Sequence, residues 1–171
     1  QERYETAEEI LEISHKYREK GIGLDCIVLD WCSWEDGKWG QKSFDKKRFG
    51  NPEQMIEKLH DMNIHFMISI WPNMDKSTDN YAEMSGNKCL LPSSEIYNAL
   101  SKEGRKLYWK QVNEGLFEKG VDAWWCDSSE PLTVEWMHKE RMEPAVMYVE
   151  FCKELQNILP ADMTNSYSFF H

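Results

Sequence analysis

The chain has 171 residues and a formal net charge of -10, a balance that argues against nucleic acid or an anionic membrane as partner, since both attract basic surfaces. Aromatic residues make up 13%, with 8 Trp among them, which is enough apolar mass for the core of one domain. No apolar run approaches the ~20 residues needed to span a bilayer, and the opening Gln1-Glu2-Arg3-Tyr4 holds neither a hydrophobic leader nor a Met, so the chain reads as an excerpt of something longer.

Thr6-Ala7-Glu8-Glu9 is a capping box, Thr followed three residues later by Glu. Ile10, Leu11, Ile13, His15 and Tyr17 follow at helical spacing and Gly21 supplies a stop, which predicts a helix over about 7–20. Residues 24–31, Leu-Asp-Cys-Ile-Val-Leu-Asp-Trp, predict a buried strand that ends in Asp30 beside Trp31. Asp25, near its start, reads as structural. Residues 32–50 read as a loop carrying Trp34, Trp39 and Phe44, with a turn at Glu35-Asp36-Gly37. Trp34 and Trp39 are expected to pack within that loop rather than meet a ligand.

Asn51-Pro52 opens the next helix, Asn as the cap and Pro in the first turn. Met55, Ile56, Leu59 and Met62 form its apolar face. Residues 64–71, Ile-His-Phe-Met-Ile-Ser-Ile-Trp, predict a second buried strand with Trp71 at its C-terminal end and Pro72 closing it. His60 and His65 flank the connection and read as structural. Residues 73–100 read as one long mixed loop, polar over 75–80, and loops that long are usually functional. A helix is expected over 102–119, burying Leu107, Tyr108 or Trp109, Val112, Leu116 and Phe117, with Gly120 ending it.

The third strand is expected over 121–126 and runs into Asp127, with Glu130 three residues on and Pro131 stopping further pairing. Two adjacent Trp beside two carboxylates is the composition of a sugar site: indole faces pack on the apolar face of a pyranose, and carboxylates bind hydroxyls or do chemistry. The alternative is that Asp127 and Glu130 only cap the next loop or helix. A last helix is expected over 144–158, and the aromatic tail 161–171 reads as the approach to a fourth strand.

Cys26, Cys32, Cys89, Cys126 and Cys152 are odd in number and show no CxxC, which points to reduced, packed thiols and a cytoplasmic location. The histidines show no HxH or HxxxH spacing, so neither a metal nor a cofactor is expected. Met55, Met62, Met67, Met74 and Met84 read as filler of core and loops.

Strands separated by helices imply right-handed βαβ units and a parallel sheet. Asp30-Trp31, Trp71 and Asp127 all stand at carboxyl ends of strands, which fits the mouth of a (β/α)8 barrel or the crevice of an open sheet. The absence of GxGxxG and GxxxxGK[ST] disfavours a nucleotide-binding open sheet. A whole barrel takes about 250 residues, so the chain is expected to be a fragment, residues 1–171 supplying three to four βα units of a TIM (β/α)8 barrel.

On these residues the sequence resembles the catalytic barrel of glycoside hydrolase family 31, the α-glucosidase and α-xylosidase family. Trp125-Cys126-Asp127-Ser128-Ser129-Glu130 matches its Trp-x-Asp-x-[Asn/Ser/Ala]-Glu signature. Ser128 replaces the usual Met, and Ala123-Trp124 replaces the usual Gly-apolar pair, departures similar to the α-xylosidase-like bacterial branch. Three further segments match in order: residues 24–31; Phe44-Asp45 through Phe49-Gly50-Asn51-Pro52 to Leu59-His60, with Gly50 where the family usually has Pro; and Ile68-Ser69-Ile70-Trp71-Pro72.

The resemblance implies a retaining α-glycoside hydrolase acting on an oligosaccharide or other α-glycoside. Asp127 aligns with the nucleophile, and Asp30 with an acid that hydrogen-bonds the hydroxyls of the cleaved sugar. Trp71 and Trp125 align with aromatic walls of that subsite, Trp31 can help wall it, and Glu130 aligns with a supporting acid. The family's acid/base comes from an Asp further along the barrel, with no counterpart here, so the isolated chain is expected to lack hydrolase activity. Asp127 must be ionised and is therefore expected near hydrogen-bond donors. A non-catalytic carbohydrate-binding module or another barrel hydrolase are the competing readings. Apolar edges of a partial barrel make a homo-oligomer one expected outcome.

Overall fold

The structure is a computed structural model that describes residues 3–127. Glu130, Cys152, the expected helix over 144–158 and the aromatic tail lie outside the described residues. The elements run α1 (Ala7–Glu19), β1 (Cys26–Leu29), α2 (Lys46–Phe49), α3 (Pro52–Asp61), β2 (His65–Ile70), α4 (Asp79–Gly86), α5 (Lys102–Gly115), a 3-10 turn (Phe117–Lys119) and β3 (Ala123–Cys126). The three strands pair in parallel in the order β1-β2-β3.

The caps act as expected. Thr6 Oγ1 accepts from Glu9 N at 3.2 Å, Asn51 Oδ1 accepts from Gln54 N at 3.1 Å with Pro52 opening α3, and Gly21 takes a positive φ just past α1. Two helices were not expected. The stretch 32–50 contains α2, capped by Asp45, whose carboxylate accepts from Lys47 N at 2.8 Å. The stretch 73–100 contains α4, capped by Thr78, which accepts from Tyr81 N at 3.0 Å. Each is too short to show an apolar period, and each is held by what it buries, Phe49 and Met84.

The helix expected over 102–119 stops at Gly115, and the chain reaches Gly120, at φ 101, through the 3-10 turn. Of the side chains expected to be buried there, Tyr108, Val112 and Leu116 are, together with Gln111. Leu107, Trp109 and Phe117 are only partly covered.

The two faces of the sheet differ. Ile27 and Leu29 of β1, Phe66, Ile68 and Ile70 of β2, and Trp124 of β3 are buried in one cluster with Ile10 of α1, Met55, Ile56 and Leu59 of α3, and Tyr108 and Val112 of α5. The alternating set includes Cys26, Val28, Met67 and Trp125, which remain half-buried. Among the described residues, helices thus pack their core on one face, as on a barrel wall, rather than on both, as in a doubly wound sheet.

The amino ends of the strands are tied by polar groups. Asp122 Oδ2 accepts from Phe66 N at 2.7 Å and lies 2.8 Å from His60 Nε2. His65 Nδ1 stands 3.5 Å from the other oxygen. Arg18 of α1 donates to the carbonyls of Leu24 and Met62, at 2.7 and 2.9 Å. The structural reading of His60 and His65 matches this end of the sheet.

Candidate active site

The site is assembled by register. Leu29 pairs with Ile68, and Ile68 with Trp124. One residue further, Asp30 stands level with Ser69 and Trp125. Ile70 pairs with Cys126, so Trp71 and Asp127 form the next rung, and Asp127 N still donates to Ile70 O at 3.1 Å. The two-residue period places Asp30, Trp71, Trp125 and Asp127 on the face away from the helices. Asp30 and Trp125 line one cavity of about 300 Å³ with Tyr4, Tyr17, Cys26 and Val28. Its neighbour Trp124 takes the opposite face, its ring edge-on to Trp109 of α5 at 6.0 Å. Alternation thus sets the two tryptophans on opposite faces, and the contact with Trp109 marks Trp124 as the one facing the helices.

Trp31 breaks that alternation. At φ 58, followed by Cys32 at φ 38, it turns the chain out of the ladder, a conformation that costs a non-glycine residue about 1 kcal/mol or more. The turn swings its ring round to Trp71, 5.1 Å between centroids. The same ring meets Trp34 at 5.8 Å and Trp39 at 5.0 Å, and Trp39 meets Trp71 at 5.6 Å, all edge to face. Each such pair contributes about 0.5–1.5 kcal/mol beyond its buried area.

Trp34 is buried in its loop as expected. Trp39 reaches out of the loop to Trp71 and remains 42% exposed. The sequence reading therefore missed the contacts of Trp39 with Trp31 and Trp71. Only the density of indoles over 31–39 hinted at them.

A second group was missed altogether. Lys42 sits in the polar run Gln41-Lys42-Ser43 yet is only 4% exposed. Its Nζ donates to Gly40 O at 2.6 Å and to Trp71 O at 3.0 Å. Tyr108 Oη donates to the same Trp71 carbonyl at 2.8 Å, and the ammonium lies 4.9 Å from the centre of the Tyr108 ring. Burial pushes the Lys42 ammonium down to about 7. The same burial pushes the Tyr108 hydroxyl well above the usual phenol range.

A folded value below the unfolded one means that the unfolded chain binds more protons between about pH 7 and 10.5. Through this lysine, stability therefore rises with pH across that window, by an amount on the order of a few kcal/mol. Below it the full cost of burying the charge remains. In the full-length protein, the unfolding midpoint of Lys42→Met minus that of the wild type should be larger at pH 6.5 than at about pH 9.5. Equal differences at both pH values would contradict the shift.

Two more polar atoms belong to this end of β2. Ser69 Oγ and Trp71 Nε1 are buried without a hydrogen-bond partner among the described residues. Among the same residues, no three His, Cys, Asp or Glu side chains are grouped as a metal site, and no helix is long and apolar enough to cross a membrane.

Comparison with known proteins shows the family of the chain. The profile of the glycosyl hydrolases family 31 TIM-barrel domain matches residues 1–171. The chain is 38% identical over 132 residues to an alpha-xylosidase of Saccharolobus solfataricus, covering 77% of this chain and 18% of that protein. Among solved structures, the family 31 alpha-xylosidase of Xanthomonas citri superposes with a TM-score of 0.69 at 35% identity, over 76% of this chain and 16% of that one. A family 31 alpha-xylosidase from a soil metagenome, solved with xylose, shares the fold with a TM-score of 0.77 at 22% identity, over 92% of this chain and 27% of that one. The chain thus spans less than a third of each of these relatives.

Proposed function

Because the chain belongs to glycoside hydrolase family 31, we propose that its strand tips form the nucleophile and sugar-binding wall of a retaining α-glycosidase, of α-xylosidase or α-glucosidase type. The observation that supports this most is the register. It gathers two carboxylates, Asp30 and Asp127, and two indoles, Trp71 and Trp125, on one sheet face at the carboxyl ends of parallel strands.

In this reading Asp127 attacks the anomeric carbon and forms a covalent glycosyl-enzyme, which water then hydrolyses. A second carboxyl protonates the leaving oxygen. Asp30, level with Trp125, accepts hydrogen bonds from hydroxyls of the bound sugar, and charge-assisted bonds of this kind are about twice as strong as neutral ones. Trp71 and Trp125 stack on the ring, and Trp31 and Trp39 extend the wall through their contacts with Trp71. Glu130 is read as a supporting acid near the nucleophile. Xylose is the favoured sugar, because the curated and solved relatives at 38% and 35% identity are α-xylosidases.

Residues 1–171 are read as part of the catalytic barrel, with the proton donor supplied from outside the chain. The isolated chain is then expected to show no turnover of an aryl α-glycoside; measurable release of the phenol would refute this. Free thiols at Cys26, Cys32 and Cys89 support a reducing, cytoplasmic location.

The test is to trap the full-length protein with fluorinated α-xylosyl and α-glucosyl donors and map the labelled peptide by mass. A label on Asp127 is expected, and the donor that labels faster names the sugar. A label on another carboxylate, or sugar binding with neither label nor turnover, would overturn the assignment.

A further inference from the structure

Among the described residues, the buried charged side chains are Lys42 and Asp45. Asp45 has an ion-pair partner in Arg48. Lys42 faces carbonyls and an aromatic ring instead. The elements packed round it are the 40–45 loop, the end of β2, α4 and α5. From α5 comes Tyr108. From α4, Asn80 Oδ1 accepts from the Lys42 backbone N at 2.6 Å, and Glu83 is held by Lys110 and Gln111. No carboxylate among the described residues pairs with the Lys42 ammonium.

A buried lysine that meets no counter-charge among the described residues is an expensive way to satisfy two carbonyls, since a neutral donor would serve. What it holds gives the reason. The ladder between β2 and β3 runs through Ile70 O. The Trp71 carbonyl lies past that rung, and Pro72 comes next with no N–H to anchor the turn. Among the described residues, Lys42 Nζ and Tyr108 Oη donate to that carbonyl. The orientation of this peptide sets the backbone of Trp71, and the backbone restricts which rotamer its ring can take.

We propose that Lys42 is a positioning residue of the sugar site, which, with Tyr108, fixes the Trp71 carbonyl and thereby the indole that walls the subsite. The sugar-binding part of this rests on the glycosidase reading above.

The test uses the full-length protein and a 4-nitrophenyl α-xyloside. Lys42→Met removes the donors and keeps the bulk. It is expected to raise KM about 10-fold while kcat falls less than about 3-fold, the mark of lost binding shared by ground state and transition state. Tyr108→Phe should shift KM the same way, about 3-fold. Near-ultraviolet circular dichroism of the indole cluster should change in both variants.

A lowered unfolding midpoint with KM and dichroism unchanged would mean a purely structural role and would overturn the proposal. If Lys42→Met does not fold, Tyr108→Phe decides by the same two readouts. A wild type that neither binds nor turns over any α-glycoside defeats the glycosidase reading. The dichroism of the variants then still decides whether Lys42 positions Trp71.

Discussion

Asp127→Ala in the full-length protein is expected to lower kcat for an aryl α-glycoside by about 10⁴-fold or more, because a methyl group cannot form the glycosyl-enzyme. Asp127 carries its backbone in the last rung of the sheet, with its N–H on Ile70 O at 3.1 Å. Truncating the side chain leaves that rung in place, so the fold and the affinity for free xylose should change little. If Asp127 is the nucleophile, the truncation also opens space beside the anomeric carbon. Added azide should enter it, restore turnover of a substrate with a good leaving group, and yield a glycosyl azide of the opposite anomeric configuration. A loss in kcat below about tenfold would remove Asp127 from the nucleophile role. A large loss with no rescue and a collapsed unfolding transition would make it structural instead.

Gly115→Ala is expected to be the most damaging of the small substitutions. A Cβ at Gly115 would lie 1.8 Å from the carbonyl oxygen of Lys42. That neighbour is backbone, so it cannot rotate away, and α5 would have to move as a body. Tyr108 lies two turns earlier on the same helix, so the displacement would also disturb its bond to Trp71 O. Overpacking of this kind typically costs about 1–3 kcal/mol, and a clash with backbone belongs at or beyond the upper end.

The control is Gly86→Ala at the end of α4, where a Cβ would meet nothing within 4 Å. There the change should stabilise by about 0.5–1 kcal/mol, the ordinary helix effect. The measurement is the unfolding midpoint of the two variants beside the wild type. If Gly115→Ala is tolerated as well as Gly86→Ala, the close approach of α5 to the 40–45 loop is wrong.

The legible part of the sequence was local. A capping box at 6–9, an Asn-Pro at 51–52 and three apolar runs each carry their signal within a few residues, because caps and periodicity depend on bonds and faces that close over one turn or one pleat. The stretch over 24–31 shows where that signal fails. Its composition reads as strand to Trp31, but the ladder stops at Leu29. The chain leaves through a positive φ at Trp31, and the tryptophans it must then pack against lie at 34, 39 and 71. The helices α2 and α4 escaped for a related reason. Each is a single cap with one or two turns behind it, and its stability comes from the core it joins.

From the sequence by itself come the order of βα units, the carboxylates and indoles at the strand tips, and the resemblance to glycoside hydrolase family 31, since all three rest on which residue stands at which position. Only the tertiary structure decided that Trp125 lines a cavity with Asp30 while Trp124 faces α5, that Trp39 meets Trp31 and Trp71, and that Lys42 is buried against the Trp71 carbonyl. Those outcomes depend on sheet register and on contacts between separate segments, 29 and 37 residues apart for the two donors to the Trp71 carbonyl, and no local pattern of polarity encodes which distant carbonyl a lysine will find.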